Sequence, residues 1–140
     1  MREFHIVIHR MPQSPESVGT FRWLDLEMPA WQPLRGMLAE PLPIDFATAE
    51  QRLGALPLMF FEPDGYFLWG RGSGVERWQI NGQLTDDGQQ MLYITARGRM
   101  PRQPFEQFLT VFGWPDVPLA IQLVVEGVMI AAADFLAAME

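Results

Sequence analysis

The clearest pattern of hydrophobic and polar positions lies between residues 58 and 100, where it predicts two consecutive β-hairpins. In the first hairpin, apolar runs at 58–62 and 66–70 are separated by Pro63-Asp64-Gly65. This is turn chemistry, because proline presets φ and glycine accepts a positive φ at no steric cost. The two runs are therefore expected to pair as antiparallel strands.

The second hairpin alternates apolar and polar residues along both strands, which is typical of strands with one buried face. Its strands are predicted at 75–84 and 91–100, joined by Asp86-Asp87-Gly88. The expected apolar face consists of Trp78, Ile80, Gly82, Leu92, Ile94, Ala96 and Gly98. The expected polar face consists of Arg77, Gln79, Asn81, Tyr93, Thr95, Arg97 and Arg99. Asn81-Gly82 is a competing turn, and its use would shift the register and reverse every assigned face.

Helical spacing and punctuation predict three helices. The segment 104–112 places its apolar residues at i, i+3, i+4 and i+7, namely Phe105, Phe108, Leu109 and Phe112. A short helix is expected to begin at Asp45 or Thr48 and to end near Gly54. A final helix is predicted over 132–139, with Ala132, Phe135, Leu136 and Met139 on its buried stripe.

The remaining segments carry weaker patterns. Alternation at 4–9 predicts a first strand, and the nearly continuous apolar run at 119–125 predicts a central strand covered on both faces. The segment 11–43 contains six prolines and is expected to be irregular, because each proline removes an amide donor and restricts the residue before it. Within it, 20–28 has a mixed pattern that permits one strand.

Together these elements predict an α+β fold. Runs of strands followed by helices indicate a mainly antiparallel sheet, formed by two consecutive hairpins and flanking strands and packed by two or three short helices. At 140 residues the chain is expected to form a single domain.

Composition narrows the function. The net charge of −7 argues against a nucleic-acid partner, because a phosphate backbone would be repelled. The chain has no cysteine, and all ten of its basic residues are arginines, so thiol and lysine chemistry are excluded. No apolar run reaches the about 20 residues of a membrane span, and the first residues do not resemble a secretory signal. We therefore expect a cytoplasmic protein with no membrane, metal or cofactor.

The polar face of the second hairpin is the best candidate site. Arginine forks recognise carboxylates and phosphates, and aromatic residues occur beside the arginines in the sequence. The candidate residues for an acidic ligand or partner are Arg71, Arg77, Arg97, Arg99, Trp69, Trp78 and Tyr93. The alternative interpretation is a solvated face in which weak cross-strand ion pairs engage the arginines.

Three other groups have ordinary explanations. Gly70-Arg71-Gly72-Ser73-Gly74 resembles a phosphate-binding loop, but no helix is predicted to follow it, so it is interpreted as a connection between hairpins. The carboxylates Glu62, Asp64, Asp86 and Asp87 lie in or beside turns, and they are interpreted as ordinary turn residues rather than as an acid–base pair or a cation site. On a strand, His5 and His9 share a face about 13 Å apart, too far to bind one metal ion.

The pattern lacks a nucleophile, base and orienting group, so we expect a non-catalytic protein-interaction or small-ligand-binding module, with a protein partner or a second copy of the chain. The alternative is a small hydrolase or isomerase that uses carboxylates with His5 or His9.

Overall fold

Nine antiparallel strands form one sheet in the computed structural model, which describes residues 2–34 and 40–139. The strands are β1 (Phe4–Arg10), β2 (Ser17–Trp23), β3 (Leu26–Trp31), β4 (Phe60–Phe61), β5 (Tyr66–Arg71), β6 (Trp78–Asp86), β7 (Met91–Arg99), β8 (Leu119–Leu123) and β9 (Val128–Ala131). Their spatial order is β2-β3-β9-β8-β1-β7-β6-β5-β4. With the helices α1 (Phe46–Gly54), α2 (Arg102–Thr110) and α3 (Ala132–Ala138), this confirms the predicted α+β fold.

Strands β4 to β7 form the predicted pair of hairpins as one meander. In the first turn, the amide of Gly65 donates to the carbonyl of Glu62, and Asp64 Oδ1 accepts from the amide of Tyr66. In the second, Asp87 Oδ1 accepts from the amides of residues 89 and 90. The competing turn at Asn81-Gly82 is not used, because both residues lie within β6.

The prediction of a single strand over 20–28 is wrong. The chain reverses at Leu24 and Asp25, which have φ values of 53° and 68°, and β2 pairs with β3 as a hairpin. Aspartate is tolerated in this region, but leucine is not a usual turn residue, so the first left-handed position carries no ordinary sequence signal. Strand β9 was also not predicted, since its four residues join a turn directly to a helix.

The helices begin and end close to their predicted positions. Asp45 caps α1 by accepting from the amide of Thr48 at 2.7 Å, which decides between the two predicted caps. Helix α2 begins at Arg102, two residues before Pro104, and Gly113 follows it with a φ of 103°. No helix in the described parts of the chain is long and apolar enough to cross a membrane.

All three helices pack on the same face of the sheet. Phe105 of α2 and Phe135 of α3 lie 5.6 and 5.8 Å from the ring of Phe4 on β1, measured between centroids. Phe46 of α1 lies 6.1 Å from Phe61 of β4. We call the opposite face, as formed by β1, β5, β6 and β7, the open face; at the far end of β1 on this face, His9 is buried within the chain.

Candidate functional site

Strand register places side chains from four strands in a row across the open face. His5 of β1 pairs with Arg97 of β7, which pairs with Asn81 of β6, which pairs with Leu68 of β5. Arg99 lies one step along β7, directly opposite Gln79 of β6. Antiparallel pairing thus brings His5 and Arg97, 92 positions apart in sequence, to hydrogen-bond distance.

Except for Leu68, these side chains line a shallow groove of about 800 Å³ at one end of the open face. We call it the arginine groove and define it by His5, Arg77, Asn81, Arg97 and Arg99. The rim also includes Glu3, Gln79 and Val125. Three guanidinium groups and one carboxylate therefore line this groove, in a chain whose net charge is −7.

His5 is neutral in this setting and works as an acceptor. Partial desolvation and the nearby Arg97 charge lower the pKa of His5 below its ordinary value. Arg97 Nη2 lies 3.2 Å from His5 Nδ1, so the guanidinium donates to the unprotonated ring nitrogen. The imidazole holds one nitrogen of Arg97 without cancelling its charge.

Within residues 2–34 and 40–139, the ion pairs lie outside the groove. Arg22 pairs with Asp25 at 3.8 Å, and Arg102 pairs with Glu106 at 3.0 Å. The side-chain partners recorded for Arg77 and Arg97 are Gln79 and His5, both uncharged here. The cross-strand ion pairs of the alternative interpretation are therefore not formed by these arginines in the described structure.

The other candidate residues lie at varied distances from the groove. Tyr93 is on the open face, near the far end of β7, with its ring centroid 5.9 Å from that of His9. Trp69 is buried on the helix face and donates from Nε1 to the carbonyl of Pro57 at 2.8 Å. Trp78 is 7% exposed and meets Trp69 edge-on, although it also reaches the groove wall.

Arg71 lies in an adjoining depression of about 610 Å³, which shares Arg77, Trp78 and Gln79 with the arginine groove. The glycine-rich loop runs from β5 into a 3₁₀ turn at Gly74–Glu76 and then into β6, as the predicted connection between hairpins requires. Leu58 and Phe60 line this depression and are 77% and 51% exposed. The basic groove thus continues into an apolar surface.

His9 is separate from the groove and almost fully buried, at 2% exposure. Burial lowers its pKa, and the bond to Gln122 opposes this only in part. His9 Nε2 lies 3.1 Å from the amide oxygen of Gln122. Because this oxygen can only accept, Nε2 carries the hydrogen and donates it. His9 Nδ1 has no hydrogen-bond partner among the described residues. Among the residues that the structure describes, no group of three or more His, Cys, Asp or Glu side chains could hold a metal ion.

The predicted hairpin placed Gln79 and Asn81 on the same face as Arg97 and Arg99, but neither was named as a site residue. His5 was missed because its proximity depends on which strand lies beside β7. Alternation alone placed Arg97 and Arg99 on one face.

Comparison with family models, curated proteins and solved structures found no match.

Proposed function

We propose that the protein is a non-catalytic binding module whose arginine groove takes the carboxylate or phosphate groups of an acidic ligand or partner. The observation that carries this proposal is the convergence of Arg77, Arg97 and Arg99 in one groove without an ion-paired carboxylate among the described residues. A cytoplasmic location is part of the same proposal and is supported by the absence of cysteine.

The physical argument concerns unused hydrogen-bonding capacity. Each guanidinium offers five N–H donors in a planar arrangement that matches a carboxylate or phosphate. The recorded bonds use one nitrogen of Arg97 and one of Arg77, so donors on both side chains remain for a ligand. Hydrogen bonds to charged groups contribute about 1.5–3 kcal/mol each.

The catalytic alternative has less support from the same geometry. Within the described residues, the side-chain partner of His5 is Arg97 and that of His9 is Gln122, and neither is a carboxylate. A general base oriented by a carboxylate is therefore not assembled at either position. A hydrolase or isomerase that uses carboxylates with His5 or His9 stays the alternative prediction for the function of this protein.

The proposal is tested by titrating ¹⁵N-labelled protein with inorganic phosphate and with succinate. The amide chemical shifts monitor binding. We expect saturable shifts at residues lining the groove, and a loss of affinity of about tenfold in Arg97→Gln and in Arg99→Gln. Arg22→Gln is the matched control, because Arg22 is an exposed strand arginine outside the groove. Shifts that are absent, or that are equally weakened in all three variants, would overturn the proposal.

A further inference from the structure

The meander formed by β4 to β7 has opposite charges at its two ends. At one end Arg97 and Arg99 lie in the last residues of β7 on the open face, and Arg77 immediately precedes β6. The two turns at the other end carry four exposed carboxylates, which we call the acidic turns: Glu62, Asp64, Asp86 and Asp87. A nine-residue strand spans about 30 Å, so one strand length separates the two charged ends.

Between Arg97 and the acidic turns, the described strand residues of the open face include no arginine, aspartate or glutamate. The central cross-strand row consists of Val7, Thr95, Gln83 and Tyr66, which are paired in register across four strands. All four are only partly exposed. A face that is neutral in the middle and oppositely charged at its ends is self-complementary when two copies meet with their strands antiparallel.

We propose that two copies of the chain pack open face to open face about a two-fold axis perpendicular to the strands, with each arginine groove against the acidic turns of the other copy. This inference rests on the proposed function of the groove and names its partner. The axis exchanges strand ends, so one operation forms two opposite-charge contacts and apposes the two neutral centres.

The acidic turns present exposed carboxylates at the tips of the two hairpins. Residues 86–90 are all exposed at the tip of the β6–β7 hairpin. Amides of residues 89 and 90 donate to Asp87 Oδ1 at 2.9 and 2.8 Å, which fixes this carboxylate at the tip. The same bonds lower the pKa of Asp87, so it is ionised at neutral pH.

The area is of the right order for a stable dimer. The four strands have seven, six, nine and nine residues, and at about 3.3 Å by 4.8 Å per residue they give a projected area of roughly 500 Å². The accessible area of a surface covered with side chains exceeds its projection, and a standard interface buries about 800 Å² per partner. A head-to-tail chain would use the same charges but would leave the neutral centre uncovered.

Sedimentation equilibrium of the full chain at increasing NaCl concentrations tests the proposal. We expect a dimer whose dissociation constant rises with salt, because exposed charges are screened. Thr95→Arg places a charge in the neutral centre and should weaken the dimer by about tenfold or more. Arg22→Glu is the control outside the interface, and circular dichroism checks the fold of each variant.

Charge exchange tests the orientation. The first variant, Arg97→Glu with Arg99→Glu, makes the groove acidic. The second, Glu62→Arg with Asp86→Arg and Gln89→Arg, makes the turns basic and leaves Asp64 and Asp87 to hold them. Each variant alone should be monomeric, and an equimolar mixture should form a heterodimer, because both contacts again join opposite charges.

A protein that stays monomeric at millimolar concentration, or a dimer unaffected by these substitutions, would overturn the dimer. Assembly into chains larger than a dimer would overturn the two-fold arrangement. Phosphate binding by a strict monomer would retain the proposed function while removing this partner. In the dimer, phosphate is expected to compete with the acidic turns and to shift the equilibrium towards monomer.

Discussion

Substituting Asp25 with glycine is expected to stabilise the protein. Asp25 has a φ of 68° in the β2–β3 turn, in the left-handed region where a Cβ costs about 1–2 kcal/mol. Glycine removes that cost but gives the unfolded chain extra freedom worth about 0.4–1 kcal/mol. The difference predicts a net gain of about 0.5–1 kcal/mol in the free energy of unfolding. The lost ion pair with Arg22 contributes little, since the two side chains are 67% and 97% exposed.

Urea denaturation measures this gain as a higher midpoint with an unchanged slope. Asp25→Ala is the matched control, because it removes the carboxylate and keeps the Cβ, so it should gain nothing. Gly88→Ala tests the opposite sign: Gly88 has a φ of 96° with open space around it, so the added Cβ should cost about 1 kcal/mol through conformation alone. Equal stabilities of the glycine and alanine variants at position 25, or an unchanged Gly88→Ala, would refute the reasoning.

Two further predictions concern the sheet interior. Burial lowers the pKa of His9 in the folded state, whereas the unfolded state has the ordinary value of about 6.5. As the pH falls, the unfolded state therefore takes up the proton first, and the stability of the protein should fall between about pH 7.5 and 5.5. Urea midpoints across this range should show a smaller dependence in His9→Gln than in His5→Gln, and equal slopes in wild type and His9→Gln would contradict the assignment. Gly82→Ala should destabilise by about 3 kcal/mol or fail to fold, because its Cβ would overlap the carbonyl oxygen of Thr95; a thermal melt indistinguishable from wild type would show that β7 can move there at little cost.

Local chemistry made the hairpins and helices predictable. Pro63-Asp64-Gly65 and Asp86-Asp87-Gly88 act through residues next to one another, and so does the cap at Asp45. The β2–β3 turn escaped prediction because Leu24 and Asp25 adopt left-handed backbone without the glycine or asparagine that usually marks it. Tertiary pairing holds this turn in place despite its local cost.

Strand order was not predictable from local pattern. Strand β1 lies between β7 and β8, and each pairing joins residues 84 or more positions apart. The faces of β6 and β7 were correct because side-chain alternation is local. For the same reason, only part of the arginine groove could be predicted. Side-chain alternation put Arg97 and Arg99 on one face, whereas the contact between Arg97 and His5 depends on the position of β1 beside β7.

The two faces of the sheet separate stability from binding, and this makes the proposed tests interpretable. The rings that hold the helices to the sheet, such as Phe105 and Phe135, lie on the helix face at 0% and 1% exposure. Arg97 and Arg99 are on the other face, where the cost of replacing an exposed or half-exposed side chain is usually within about 0.5 kcal/mol. In the absence of added anion and at protein concentrations below the dimer dissociation constant, variants of the groove should therefore keep the wild-type unfolding free energy, although they lose anion binding and dimerisation. If they instead unfold in parallel with their loss of binding, the groove is a structural part of the sheet, and its arginines need an explanation within the fold.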